Sequence, residues 1–272
     1  MSLSFALSNA ASGLRAQGRA AELVSGNVAN ALTPGYARRE LVLTTEVAGG
    51  NGGVRVAGSQ RIVDPVLLGD RRGAEAEAGR ADVLARGMAA IEAAIGDPTQ
   101  AGSLSDRVAQ FSASLIEASS RPESELRLEQ AVAAAGALAT GIGDVGRAIQ
   151  EMRTRADTRI GQMVGRVNAA LEQVEGLNDQ ILGLGAKARE SAPLQEARQQ
   201  AIDSIAEIVP VREVQMANGA VALFARGGAV LLDGQARPLA FTPRGTVEPW
   251  MKLEGGALSG LAVGGRPIEL TG

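Results

Sequence analysis

The side chains that most often carry chemistry are missing from this chain. Its 272 residues include no Cys and no His. That removes thiolate nucleophiles, disulfides and thiolate metal sites, together with the commonest general base. Carboxylates, arginines and glycines remain. Gly141-Ile142-Gly143-Asp144-Val145-Gly146 spells G-x-G-x-x-G, which cradles a dinucleotide only between a strand and a helix. Here Ile142 and Val145 fall on an apolar stripe of helical period, so the glycines read as close helix contacts. Glu75/Glu77 and Glu123/Glu125 are spaced for paired-carboxylate acid–base work. Each pair lies on an amphipathic helical pattern, where a solvated face is the plain reading. Arg38-Arg39 could grip an acidic partner or solvate the exit of a turn. No catalytic, cofactor-binding or metal residue is expected, and the chain does not read as an enzyme.

Composition points the same way. Hydrophobic residues make up 45% and aromatics 2%, with one Trp and one Tyr. A core must then be built of Ala, Leu, Val and Ile, which suits closely approached helices. Trp250 reads as core of a β portion. The net charge of −3 gives no reason to expect nucleic acid or an acidic membrane as partner. No run of about 18 apolar residues suggests a membrane span. The first charge is Arg15, so the N-terminus does not read as a cleavable secretory signal.

The stretch that could bind something is the first one. Leu3, Leu7, Ala10, Leu14, Gln17, Ala21, Val24, Val28 and Ala31 recur at alternating spacings of 4 and 3. That is the period of an amphipathic helix with one apolar stripe. Ser8, Asn9, Ser12, Arg15, Arg19 and Asn27 lie on the other side. Thr33-Pro34-Gly35-Tyr36 stops the helix: Pro34 sets φ near −65°, and Gly35 fits the positive φ of a type II turn. Asn27 and Asn30, in the last turn, are placed to bond free backbone carbonyls. Such a helix cannot bury its stripe alone.

The run from Leu7 to Leu43, with Ser25-Gly26-Asn27-Val28-Ala29-Asn30-Ala31-Leu32-Thr33-Pro34-Gly35-Tyr36 at its centre, resembles the N-terminal signature of the flagellar rod, hook and hook-associated axial proteins. Leu32 stands where that family usually has Asn. The segment from Gly53 to Arg72, and more weakly that from Pro193 to Val211, resembles the hook-associated protein 1 branch. The resemblance implies a structural protein joining hook to filament. It implies a polymerisation interface at Leu3, Leu7, Leu14, Ala21, Val24 and Val28, and a signature turn at Asn27, Asn30, Thr33, Pro34, Gly35 and Tyr36. It also implies partners: further copies of the chain, hook protein, hook-associated protein 3 and an export chaperone. The place implied is extracellular, reached through the flagellar type III apparatus. Members of that family carry a second amphipathic helix at the C-terminus; this sequence ends in β-like pattern at Gly272, so the chain is expected to be a truncated product or a fragment. The alternatives are a hook or rod protein, or a carboxylate-based wall hydrolase.

The fold class expected is mainly α with a β portion. Residues 1–36 form the N-terminal helix and turn, 37–63 a β-hairpin-like arm, 64–210 a coiled-coil-like bundle of long helices, and 211–272 a β-rich domain. Asp64-Pro65 opens one helix, to about residue 96, and Ser103 or Ser105 opens another, to 120. From Leu128 to Ala188 an unbroken stripe of spacings 3 and 4 runs through a helix over 123–190, with a stutter at Met152–Ala156–Ile160 and a break allowed near Gly141-Ile142-Gly143. A shorter helix covers 193–208. From Val211 the period becomes 2, with Asn218-Gly219 and Gly227-Gly228 as hairpin turns.

Overall fold

A computed structural model describes residues 3–33, 35–46, 53–185 and 191–268. Among these it has five helices and nine strands in the order α1 (Leu3–Ala29), β1 (Arg39–Glu46), β2 (Gly53–Arg61), α2 (Pro65–Ile95), α3 (Leu104–Ser120), α4 (Glu125–Gly183), α5 (Ala192–Ala206), β3 (Val211–Gln215), β4 (Val221–Ala225), β5 (Val230–Asp233), β6 (Gln235–Ala236), β7 (Leu239–Ala240), β8 (Ala262–Val263) and β9 (Arg266–Pro267). The chain is mainly α with a β portion. Its contacts divide it into two compact units, one of residues 1–76, 164–240 and 261–272, the other of 77–163 and 241–260.

The helix starts follow from local chemistry. Asp64 Oδ1 accepts from the backbone N–H of Val66 at 2.9 Å and Leu67 at 3.2 Å, with Pro65 at the first helical position. Ser103 Oγ accepts from Asp106 N–H at 3.1 Å, and Asp106 Oδ2 accepts from Gly102 N–H at 2.7 Å, a reciprocal cap of about 1 kcal/mol.

In the first unit, β1 and β2 form an antiparallel arm. Its register shifts between Val42 and Leu43, where Val42 pairs Gly58 and Leu43 pairs Val56, leaving Ala57 as a bulge. The remaining strands make a four-stranded sheet, β3-β4-β5-β6, and a three-stranded one, β7-β8-β9. The core is helix on sheet. Val167, Leu171 and Val174 of α4 and Ile202 and Ile205 of α5 pack with Leu223, Leu231 and Leu232 of the sheet. Burying one such Leu or Ile stabilises by about 1.5–3 kcal/mol. The C-terminal part of the long apolar stripe thus meets α5 and a sheet.

Two asparagines of α4 fasten the strands. Asn178 Nδ2 donates to Val221 O at 2.9 Å while its Oδ1 accepts from Val221 N–H at 3.1 Å. Asn168 Nδ2 donates to Leu239 O at 2.9 Å and its Oδ1 accepts from Leu239 N–H at 2.8 Å. Each primary amide presents the donor and acceptor that a neighbouring strand would. Arg198, buried on α5, donates to Asn178 Oδ1 and to Gly219 O, both at 2.9 Å. Burial lowers the Arg198 pKa, with Glu213 opposing the shift and Arg61 adding to it.

In the second unit, α3 lies against α4 through Arg107, whose Nη1 donates to Ala137 O at 2.8 Å, and Arg127, whose Nη1 donates to Glu117 O at 3.0 Å. α4 runs through 141–146 without the break allowed there; its hydrogen bonds and packing outweigh the roughly 1 kcal/mol that each glycine costs. Among the described residues it is the helix whose length and composition would permit a membrane crossing, with an 18-residue window of mean hydropathy 1.2. The loop over 241–260 is held by one face of α4. Arg153 donates to the carbonyls of Glu248, Pro249 and Met251. Thr154 Oγ1 accepts from Val247 N–H at 3.1 Å, and Asp157 Oδ2 from Arg244 N–H at 2.7 Å. This overturns the expectation for Trp250. The loop fixes its backbone to α4 and leaves the indole 68% exposed.

Candidate functional site

α1 has two faces with opposite fates. Leu3 is 91% exposed, Leu7 72%, Leu14 77%, Val24 61% and Val28 73%. Ala10, Gln17, Ala21 and Ala31 are exposed as well, so every position of the predicted stripe faces outward. The opposite face is covered by the arm. Ser12 and Ala16 are the buried residues of α1. Asn9, Ala20, Leu23, Gly26, Asn27 and Asn30 are partly buried. Ser12 Oγ accepts from Val54 N–H at 3.2 Å and donates to Asn9 O at 2.9 Å. Small residues on this face let the strand backbone approach. Sequence reasoning assigned Ser12 and Asn27 to the polar side and did not single out Ala16 or Leu23. The signal was present: 9, 12, 16, 20, 23, 27 and 30 repeat at the same period as the apolar stripe.

The signature turn is a hydrogen-bonded knot. Asn30 Nδ2 donates to Gly26 O at 2.9 Å, a carbonyl that also accepts the Asn30 backbone N–H at 3.1 Å, so the amide doubles an existing helix-end bond rather than reaching a free carbonyl. Asn27 acts differently from its expected role. Its Nδ2 donates to Arg39 O and its Oδ1 accepts from Arg39 N–H, both at 2.9 Å, and Oδ1 also accepts from Tyr36 OH at 2.8 Å. This is the strand-mimicking amide pairing seen at Asn168 and Asn178, here joining α1 to the start of β1. Thr33 Oγ1 donates to Asn30 Oδ1 at 3.3 Å, and Tyr36 N–H to Thr33 O at 3.1 Å. Gly35 has φ +80°, which favours glycine, and a Cβ there would meet Gln200 Cγ at 2.7 Å, so the Gln200 side chain would have to move. Pro34 lies outside the described residues.

From this knot the arm reaches α5. Arg39 Nη2 donates to Glu196 Oε2 at 2.8 Å, and its guanidinium lies over the Tyr36 ring, 5.2 Å from the centroid. Arg61 Nη2 donates to Gln199 Oε1 at 2.7 Å, and its Nε stands 3.8 Å from Glu196 Oε1. Burial lowers the Arg61 pKa, Glu196 opposes that shift, and Arg39 adds to it; the guanidinium remains charged. An open groove of about 480 Å³ lies where α1, the arm and α5 meet, with Leu23, Tyr36, Leu41 and Val56 among its lining. Deeper, Arg72 Nε donates to Asp203 Oδ1 at 2.6 Å and its Nη1 to Glu213 Oε2 at 2.7 Å. Arg71 binds Asp203 Oδ2 at 2.7 Å, a hydrogen bond that raises its pKa.

This arrangement holds and orients backbone. Its carboxylates Glu196, Asp203 and Glu213 are engaged by arginines. Among the described residues no group of three or more His, Cys, Asp or Glu could hold a metal ion. Of the two carboxylate pairs singled out by spacing, Glu75/Glu77 makes surface ion pairs, Glu75 with Arg71 at 3.7 Å and Glu77 with Arg80 at 2.6 Å, and Glu123 and Glu125 lie at the exposed start of α4. The adjacent arginines divide their roles. Arg38 pairs with exposed Glu40 at 2.6 Å, while Arg39 turns inward to Glu196.

Comparison with known proteins bears on the chain as a whole. The family model of the flagellar hook-associated protein FlgK helical domain matches residues 88–261. The flagellar hook-associated protein 1 of Salmonella typhimurium and that of Salmonella typhi are each 29% identical over 251 residues. These alignments cover 89% of this chain and 45% of each relative, so the chain spans about half the length of the curated relatives it matches. The structure of the flagellar hook junction protein FlgK from Burkholderia pseudomallei shares the fold, with a TM-score of 0.58 at 19% identity over 74% of this chain and 33% of that one.

Proposed function

The chain belongs to the family of the flagellar hook-associated protein FlgK, and we propose that it is a structural subunit of the flagellar hook–filament junction that assembles through the apolar stripe of α1. One observation carries this reading: the whole stripe from Leu3 to Val28 faces outward while the opposite face of the same helix is bound by the arm. A lone exposed stripe of this length needs a covering helix. In this reading the cover is α1 of adjacent copies and the matching helices of hook protein and hook-associated protein 3. The chain reaches them through the flagellar type III export apparatus, with an export chaperone as its carrier. The turn from Asn27 to Tyr36 fixes where the stripe ends and the arm begins.

The stripe can be charged without touching the arm. Val24 and Val28 are 61% and 73% exposed, so covering both is worth about 2–4 kcal/mol. Val24→Ala with Val28→Ala removes four methyl groups, about 2 kcal/mol of that cover, and should weaken self-association by about 10- to 100-fold; the double Asp variant should abolish it. Sedimentation velocity on the full chain and incorporation at the hook tip are the readouts, with circular dichroism confirming retained helix. Unchanged incorporation of the well-folded Asp variant sinks the reading, as does incorporation of a chain lacking residues 1–33.

A further inference from the structure

The joint between the arm and α5 has an incomplete charge network. Arg39 Nε, Arg61 Nε and Glu196 Oε1 are buried and make no hydrogen bond. Arg61 Nε and Glu196 Oε1 face each other at 3.8 Å, an ion pair by distance but not a hydrogen bond. Two guanidinium groups therefore converge on one carboxylate, and only Arg39 closes a short contact with it, at 2.8 Å. A network satisfied in part is a poor device for stability. It is a good device for direction, because the charges accept one relative placement of the arm and α5. By contrast, α1 and the arm are joined by contacts that are complete: the amide pairing of Asn27 with Arg39 and the bond from Val54 N–H to Ser12 Oγ. α1 and the arm thus make a module, which meets α5 at Glu196, shared by both arginines, and at Gln199, which accepts from Arg61 alone. Arg39 links the two, since its backbone pairs with Asn27 and its side chain with Glu196.

We propose that Glu196 is a positioning residue that sets, through Arg39 and Arg61, the direction in which the module and its apolar stripe leave α5. This rests on the reading of the stripe as the assembly surface. Gly35 and Gln200 are in close contact at the same joint, the Gln200 side chain lying where a Cβ at 35 would stand.

The chain has no cysteine, so pairs of spin labels can be placed at will. A pair at Arg15→Cys and Glu207→Cys reads the joint, and a pair at Arg15→Cys and Thr45→Cys reads the module alone. All three sites are exposed. Distances are measured by pulsed electron–electron resonance on the full chain, below the concentration at which it associates. With Glu196→Ala, the 15–207 distribution should lose its single narrow peak while the 15–45 distribution stays as it was. Assembly should fall by about tenfold or more, the scale of one lost charge-assisted hydrogen bond. Glu196→Gln keeps an acceptor for Arg39 and should recover part of both effects. An unchanged 15–207 distribution overturns the proposal. So does parallel broadening of both pairs, which would show that Glu196 merely holds the fold, and so does a broadened joint with full assembly. Failure of the stripe reading is separate: Val24→Asp with Val28→Asp would then leave assembly intact, whatever the distances in the Glu196 variants.

Discussion

Asn178→Ala is the sharpest test of how α4 holds the β strands. Asn178 is 3% exposed and serves three groups: Val221 N–H, Val221 C=O and Arg198 Nη1. Truncation leaves both backbone groups of Val221, itself 1% exposed, without partner or water. Each orphaned buried group costs about 1–3 kcal/mol. Arg198 keeps Gly219 O as an acceptor for the same nitrogen, so its share is small. The expected loss is about 3–5 kcal/mol, within the range for a buried polar group left unpaired. Asn168 supplies an internal control. It makes the same two-point pairing with Leu239 but is only partly buried and has no arginine behind it. The groups it leaves belong to Leu239, 3% exposed, but the position of Asn168 itself is partly open to solvent, so water can enter in its place and Asn168→Ala should cost about 1–2 kcal/mol. Urea unfolding followed by far-ultraviolet circular dichroism gives both values from the shift in midpoint at constant m. A loss below about 1 kcal/mol for Asn178→Ala, or an equal loss for Asn168→Ala, would refute the burial argument.

Two glycines of α4 should respond to Ala with opposite signs. A Cβ at Gly161 would sit 2.6 Å from Pro243 Cγ, whereas one at Gly165 meets nothing within 4 Å. Gly165→Ala should therefore stabilise by up to about 1 kcal/mol, and Gly161→Ala should destabilise by about 1–2 kcal/mol once the clash outweighs the same propensity gain; thermal melts decide both. Arg153→Ala removes the donor to three carbonyls of the 241–260 loop, so the anisotropy of the lone Trp250 should fall and its quenching by iodide rise. Unchanged anisotropy would mean that Thr154 and Asp157 suffice. Asp97 accepts from the Thr99 hydroxyl and then its backbone N–H, in that order of effect, which lowers its pKa. The turn is thus favoured above the carboxyl's ordinary pKa and loses that contribution as pH falls through the depressed value. Thr99→Val should raise the midpoint toward the ordinary range in an NMR titration.

Much of the fold was legible because periodicity reports which residues share a face. The helix starts at Pro65 and Leu104, the arm, and the change to period 2 near Val211 all follow from local pattern and caps. The bulge at Ala57 was not legible, because alternation alone sets no register. Trp250 was misread because hydrophobicity argues for burial only where backbone geometry permits it, and Arg153, Thr154 and Asp157 settle that loop through main-chain hydrogen bonds. No composition scale carries those bonds.

The same limit explains the site. A stripe of Leu and Val announces a face that must be covered but not by what, and a stripe of Ser, Ala, Gly and Asn reads as solvent. In α1 the assignments reverse within the chain: the small polar face is the one covered, by β1 and β2, and the apolar face is left outward. The reversal has a physical reason. A strand offers backbone N–H and C=O groups, which small polar side chains such as Ser12 and Asn27 can satisfy at close approach, whereas Leu and Val cannot. Another helix offers no free backbone groups and is the natural cover for Leu7, Leu14, Val24 and Val28. Asparagine on the helix face that meets a strand is therefore a signal for strand docking, repeated in this chain at Asn27, opposite the apolar stripe of α1, and at Asn168 and Asn178, on the buried face of α4 that carries Val167, Leu171 and Val174.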